Sequence, residues 1–521
     1  MPAPARSAAF LPRLLVTAVL LLPVGCRAAD IPAPPPLPSV LPLHPPVPAA
    51  PPVSGSDPVL HVALAARLGP AESAEAGSAP PLRLRAASGP VRLIDAAGRR
   101  FMAPELVLHW QRSPLAEPLV WRRQVAGPFA SFESAERAAE LWRAGGATGL
   151  VIAHPRDWEV WAPESAPAAP EVPSRPVAGR QSTALQLQLR RPDGAVTLQG
   201  PLRIEAPGGL AWGQGVYAGP FRLLADAHGG WTLVEQVPLE RYLAGVVPHE
   251  IGAGSPAAAL AAQTVLARTW AVSNRHRFAV DGYHLCADTQ CQVYSDPRQA
   301  GSAVLAAIAA TRHRVLTWEN RPIHAVYHAS NGGVAAGFEE AWNGAPLPYL
   351  KASSDGPAGF AARFPLPLAP SSLATLLAGG KEAYGADHPL FRWQRRLTAE
   401  GVAQALGSPA GVGRIQALEV RERGPSGRVL ALAIRGSAGE RLLRLDAIRR
   451  TLRTLPSTLF TLVPEGPGVW LVRGGGFGHG AGLSQAGAID LARRGWSSEQ
   501  ILGHYYPGTR LQTLGELGEA P

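Results

Sequence analysis

Ser255–Arg275 reads SPAAALAAQTVLARTWAVSNR. Ser255 and Pro256 supply an N-cap and a first-turn proline, and no breaker interrupts the run from Ala257 onward. The segment is apolar nearly all round, which predicts a helix buried on every face. Gln263 and Arg268 are the polar interruptions. A guanidinium in an Ala/Leu/Trp helix either finds a buried anion or ligand, or snorkels its head to the surface, because an unpaired buried charge is costly. Upstream, Leu185-Gln-Leu-Gln-Leu189 alternates cleanly, and glycines at 208, 209, 213, 215, 219, 229 and 230 punctuate short strand-like runs up to Pro238. Downstream, a second Ala-rich helix is expected over about 302–311. Near the C-terminus, Val469-Trp-Leu-Val472 reads as a strand that enters a glycine-rich loop, 474–482, with a helix over 484–494 behind it. The fold class is therefore α+β: a β-rich domain around one buried Ala-rich helix, preceded by a smaller α+β region.

The N-terminus addresses the compartment. Arg6 and Arg13 precede the apolar run Leu14–Leu22, then Pro23 and small residues, the order of a secretory signal peptide over 1–28. Cys26 also raises a lipid anchor, but Pro23 stands where a lipobox usually has leucine, so cleavage without lipidation is preferred. The chain is expected in the periplasm or cell wall, with no transmembrane span in its mature form, since no apolar run reaches the ~20 residues a span needs. Residues 29–56 are a proline-rich linker favouring polyproline II, and 164–181 reads as a second linker. Between them, 57–163 forms the small α+β region, with Ser131 opening a helix that Gly145-Gly146 stops. Residues 182–515 form the main domain.

With 49 Lys+Arg against 39 Asp+Glu among 521 residues the chain is basic, but its arginines are scattered and not interleaved with aromatics. That excludes the footprint of a nucleic-acid binder and leaves a solvated basic surface, suited also to an anionic polymer such as cell wall. Hydrophobic residues at 46% exclude a wholly disordered chain.

Four stretches carry candidate chemistry. Glu250 ends Val237–Glu250, between Pro248 and Ser255 and beside Val246, Val247 and Ile251. Apolar surroundings would raise its pKa, as a general acid near neutrality requires; the alternative is an exposed loop glutamate. Arg268 is the second, with Glu250 its candidate partner. The third is His324–Gly333, ending Ser330-Asn331-Gly332-Gly333 and followed by Glu339-Glu340-Ala-Trp342. Such a turn exposes backbone N–H groups to sugar hydroxyls, or is an ordinary hairpin turn. The fourth is Gly474–Gly487, GGGFGHGAGLSQAG. It lacks the βαβ context of a dinucleotide site and the partners of a nucleophile elbow. It reads instead as backbone closely approaching an extended ligand, with His479 and Gln485 as hydrogen-bonding side chains.

Taken in order, Pro238–Glu250, Ala261–Trp270, Cys291–Tyr294, Ser330–Gly333, Leu455–Phe460, Gly478–Gly487 and Ile501–Pro507 resemble the stage II sporulation protein D (SpoIID/LytB) family. The resemblance implies a peptidoglycan lytic transglycosylase that cleaves denuded glycan strands to 1,6-anhydro ends, with Glu250 as the catalytic glutamate and Arg268 orienting it. Glu340, before Trp342, falls near an acidic position of the family, and with Ser330, Asn331, Gly332, His479, Ser484 and Gln485 it is expected to bind substrate. Val334 stands where many members have a polar residue. Some relatives are regarded as amidase modifiers, so a non-catalytic enhancer of a cell-wall amidase is the alternative. No cofactor is required. Some members bind zinc in the region of Cys286, Cys291 and His284, and a structural zinc there is one expectation; in an exported chain a Cys286–Cys291 disulfide is the rival. Upstream, residues 117–163 resemble half of a SPOR domain, a family that binds glycan strands, or else form a generic α+β packing unit.

Overall fold

In the computed structural model, which describes residues 47, 49–55, 57–70, 75–407 and 411–517, the Ala-rich segment is a helix over Ala257–Ser273, buried along nearly its whole length. The hydroxyls of Thr264 and Thr269 donate to the carbonyls of Leu260 and Val265, so these polar groups are satisfied within the helix. Ser255 differs from its expected role. The helix starts one residue after Pro256, and Ser255 Oγ donates back to Ile251 O at 2.7 Å instead of capping.

A seven-stranded sheet packs beside this helix, in the order 285–286, 59–68, 231–238, 221–225, 202–205, 91–94 and 100–103. Val59–Leu68 lies antiparallel to Trp231–Pro238, with Leu60 opposite Val237, and parallel to Leu285–Cys286. A second sheet is organised by the long strand Glu105–Phe129. Its partner for most of that length is Ser174–Arg191, which pairs Ala126 with Ser174 and Leu108 with Leu189. The second half of the stretch expected as a linker, 174–181, is thus strand: it covers the backbone hydrogen-bonding groups of 119–126 that would otherwise form a bare edge.

Within 117–163 the helix Phe132–Ala144 forms as expected, with Ser131 Oγ accepting from Ser134 N. It packs on strands 151–153 and 158–163 through Phe132, Trp142 and Trp158. The described residues form one compact unit, and the strands of 57–163 and those of 182–238 interleave in both large sheets.

Toward the C-terminus, Arg392–Thr398, Val469–Gly475 and Phe460–Gly466 make a three-stranded sheet, and Ile415–Arg423, Val429–Gly436 and Glu440–Arg444 another; the two share a core around Trp393, Leu432, Ile434 and Trp470. The short strand Tyr327–His328 runs parallel to Leu483–Ser484, which joins the third and fourth candidate stretches. No helix among the described residues is long and apolar enough to cross a membrane. The leader expected over 1–28, with Cys26, and most of the proline-rich 29–56 lie outside the described residues.

Candidate active site

The helix Leu239–Val247 passes at Pro248 into a π-helical turn, Pro248–Gly252. Val246, Val247 and Ile251 bury their side chains, and that anchoring turns Glu250 toward the interior edge of the fold. The Glu250 carboxylate accepts the Val293 N–H at 2.9 Å and hydrogen bonds from Tyr327 and Gln485. Burial pushes its pKa above the usual carboxylate range; these donors pull it back and do not cancel the rise. A directed chain stands behind one of them: Tyr242 O–H donates to Gln292 Oε1 at 3.1 Å, and Gln292 Nε2–H donates to the Tyr327 hydroxyl at 3.0 Å. Tyr242 stacks on Tyr294, whose O–H donates to Glu235, so the segment carrying Val293 is held from below.

Glu250 lies where two cavities meet. One, of about 300 Å³, is lined by Tyr327, Val293, Trp270, Trp342 and His479, with Phe132 and Glu133 of the N-terminal helix in its wall. Glu133 there is ion-paired with Arg277 and buried. The other, of about 360 Å³, is lined by Gln485, Ala486, Ile489, His388 and Arg493 among others.

Arg268 does not serve Glu250. It is fully buried, and its Nε and Nη2 donate at 2.8 and 2.7 Å to the two carboxylate oxygens of Glu240, while Nη1 donates to Arg314 O. The expectation of a buried anionic partner holds; its identity does not. Glu240 sits in the first turn of the neighbouring helix, which packs against the Arg268 helix, and its two oxygens accept the guanidinium fork bidentately, while the Glu250 carboxylate is engaged with Val293, Tyr327 and Gln485.

The Ser-Asn-Gly turn is also scaffold. Ser330 and Phe477 exchange backbone hydrogen bonds, Asn331 is buried and donates to Asp355 at 2.6 Å, and Gly332 adopts φ +72° where a Cβ would come 2.7 Å from the Gly475 carbonyl carbon. Glu340 is buried and accepts from Gly337 N, Ser426 N and Ser426 Oγ. Ser484 caps the helix Gln485–Arg493 by accepting from Gly487 N. None of Ser330, Asn331, Gly332, Glu340 or Ser484 lines either cavity beside Glu250. The glycine-rich loop is glycine-rich because protein, not ligand, lies against it: a Cβ on Gly476 would come 2.5 Å from Ser330 O, and one on Gly480 would strike the buried Arg428 guanidinium at 2.3 Å.

His479 does face the first cavity, 4.7 Å from the Trp342 ring between centroids. Its Nε2 bonds Tyr327 O at 2.8 Å and its Nδ1 accepts from Ala481 N, and burial lowers its pKa to about 3. It is a neutral pin holding the Tyr327 backbone. Gln485 alone of the expected sugar contacts reaches Glu250. Cys286 and Cys291 are joined as a disulfide. His284 Nδ1 accepts from His61 N and its Nε2 meets Pro51 O, so its nitrogens are engaged, and the disulfide leaves no thiolate at 286 or 291 to ligate zinc.

Tyr327, Gln292, Val293, Tyr242 and the wall residue Phe132 escape the sequence reading as site residues. Gln292 and Val293 lie inside Cys291–Tyr294, a stretch that carries the family resemblance, and Tyr327 sits three residues before the turn that drew attention; a tyrosine flanked by histidines in a short strand is the signal that could have marked it.

A family described as "Stage II sporulation protein" matches residues 227–318, and a domain of unknown function matches 336–482. Among curated proteins, stage II sporulation protein D of Bacillus subtilis is 30% identical over 298 residues, covering 53% of this chain and 75% of its own. That of Bacillus amyloliquefaciens is 31% identical, covering 53% and 74%. A Bacillus subtilis amidase enhancer is 28% identical over 289 residues, 52% of this chain and 40% of its own.

Proposed function

This chain belongs to the stage II sporulation protein D family, and from that premise we propose that it is an exported cell-wall enzyme, a lytic transglycosylase that cleaves denuded peptidoglycan glycan strands with Glu250 as its acid and base. The observation that carries the reading is the Glu250 carboxyl itself: raised in pKa by burial, held by donors from Val293, Tyr327 and Gln485, and open to a cavity on either side.

One carboxyl suffices if the nucleophile is intramolecular. A hydrolase needs a second carboxylate to activate water or to attack. In transglycosylation, protonated Glu250 gives its proton to the glycosidic oxygen as the C1–O bond breaks. The 6-hydroxyl of the same muramic residue then closes onto C1 and returns its proton to the Glu250 carboxylate. The proton count balances, and proximity replaces a bound water. The Val293 N–H, the Tyr327 hydroxyl and the Gln485 amide stabilise the carboxylate between the two transfers. Trp270, Trp342 and Tyr327 give the first cavity aromatic surface against which a sugar ring can rest.

The test is direct. Purified protein incubated with peptide-stripped strands releases fragments with 1,6-anhydro ends, detected by mass spectrometry; Glu250→Gln stays folded and releases none. Release that persists in that variant refutes the assignment. The amidase-enhancer relative supports a second reading, in which the protein binds the wall and stimulates an amidase. There, Glu250→Gln retains full stimulation and the wild type yields no anhydro ends.

A further inference from the structure

The second cavity is not needed for an acid that nibbles a strand from one end. A carboxyl at the bottom of a blind pocket can meet only a terminal linkage. Glu250 instead lines two cavities at once: Tyr327 stands in the first, Gln485 in the second, and both donate to Glu250. A linkage placed on that carboxyl has room for sugar on each side.

The second cavity is polar in a particular way. Asp490 is occupied, accepting from Gly385 N at 3.0 Å and from Arg494 at 2.9 Å. Arg493, three residues further along the chain, is exposed, lines the cavity and forms no ion pair among the described residues. His388 accepts Leu390 N at Nδ1, so the neutral ring carries its proton on Nε2, which has no protein partner among the described residues. Besides the exposed Asp387 carboxylate, which also lines it, the cavity presents one uncommitted guanidinium and one uncommitted N–H donor. Muramic acid whose stem peptide has been removed carries a free lactyl carboxylate. With the peptide attached, that carboxylate is an amide, without charge and with added bulk.

We propose that the glycan strand lies across both cavities, so that the cut falls inside a strand, and that Arg493 takes the free lactyl carboxylate of a muramic residue in the second cavity. The inference rests on Glu250 being the acid that cleaves the strand. It assigns the selection of peptide-free substrate to a cation that the cleavage chemistry itself does not use.

The experiment compares wild type, Arg493→Gln and Arg493→Lys on stripped strands and on the same strands with their carboxylates converted to amides. Arg493→Gln is expected to raise KM about fivefold on free-acid strands, the scale of an exposed charge pair, with kcat unchanged. Amidation raises KM to the same extent in wild type and adds nothing in Arg493→Gln, while Arg493→Lys keeps most of the wild-type KM. Early products are long anhydro-ended fragments. Equal amidation effects in wild type and Arg493→Gln, or an unaltered KM in Arg493→Gln, overturn the role of Arg493. Early release of disaccharides alone overturns the crossing of both cavities. Absence of any anhydro product from wild type overturns the reading of Glu250, and this inference with it.

Discussion

Replacing Arg268 by alanine separates a structural role from a catalytic one. Arg268 is fully buried and spends Nε and Nη2 on both oxygens of Glu240 and Nη1 on the Arg314 carbonyl. Its loss leaves the nearly buried Glu240 carboxylate with the His313 N–H at 3.2 Å as its remaining donor among the described residues. Breaking a buried pair from one side typically removes about 3–5 kcal/mol, because the surviving charge stays desolvated. Arg268→Ala is therefore expected to lower unfolding free energy by about 4 kcal/mol, and Glu240→Ala by a similar amount. The double variant Glu240→Leu/Arg268→Met stands above either single one, since neither charge is then left alone. Urea unfolding followed by tryptophan fluorescence reads all three, and turnover is normalised to the folded fraction. The reasoning is refuted if Arg268→Ala unfolds within about 1 kcal/mol of wild type yet loses turnover as completely as Glu250→Gln. That pattern would make Arg268 a partner of the acid.

Further outcomes are expected from the groups around Glu250. The Glu250 pKa is raised on folding, so wild type loses stability relative to Glu250→Gln as pH rises from the ordinary carboxylate value through the raised one; unfolding curves at pH 4 and pH 7 should show the variant gaining at the higher pH. Tyr327→Phe removes a donor to the carboxylate and is expected to move the basic limb of the rate profile to higher pH, read from kcat/KM against pH. His479 is held neutral with a pKa of about 3, so protonation of the unfolded chain destabilises the fold as pH falls from about 6.5 toward 3; His479→Gln should flatten that acid-side loss. Cys286→Ser/Cys291→Ser opens a loop whose closure is worth about 2 kcal/mol and releases Thr289–Val293 along the groove; a drop in kcat larger than the loss of folded protein is expected, from steady-state rates with circular dichroism alongside.

Much of the fold was readable because local signals agreed with it. The apolar Ala257–Ser273 helix, the Ser131-capped helix and the alternation at Leu185–Leu189 each formed. What the sequence could not convey was register between distant segments. Nothing local in 174–181 announces pairing with 119–126, and a proline-bearing stretch reads as linker until a partner strand is known. The same limit shaped the site. The raised pKa of Glu250 was legible from its apolar neighbours. Arg268 called for a buried anion or an escape to the surface, and the sequence reading offered Glu250 as the anion; the partner is Glu240, one helix away, which no local signal singled out. Ser330, Asn331 and the glycines of 474–487 resembled ligand contacts because tight backbone approach has the same composition whether the surface approached is a sugar or the Arg428 guanidinium.

A group that must give a proton and then recover one requires its two states to lie close in free energy. Burial alone would drive Glu250 far toward the protonated form, and three hydrogen-bond donors alone would fix it as carboxylate. The fold sets the two against each other, and the counterweights come from separate parts of the chain. Val293 belongs to the segment after the disulfide, Tyr327 to a two-residue strand, Gln485 to the first turn of a helix. Tyr327 is in turn fixed through Gln292 and Tyr242 on one side and through the His479 imidazole on its carbonyl on the other. His479, expected to touch substrate, thus acts one step back, holding the backbone of a donor to Glu250. This accounts for a site whose characteristic motifs are mostly buried while one carboxyl lines both cavities.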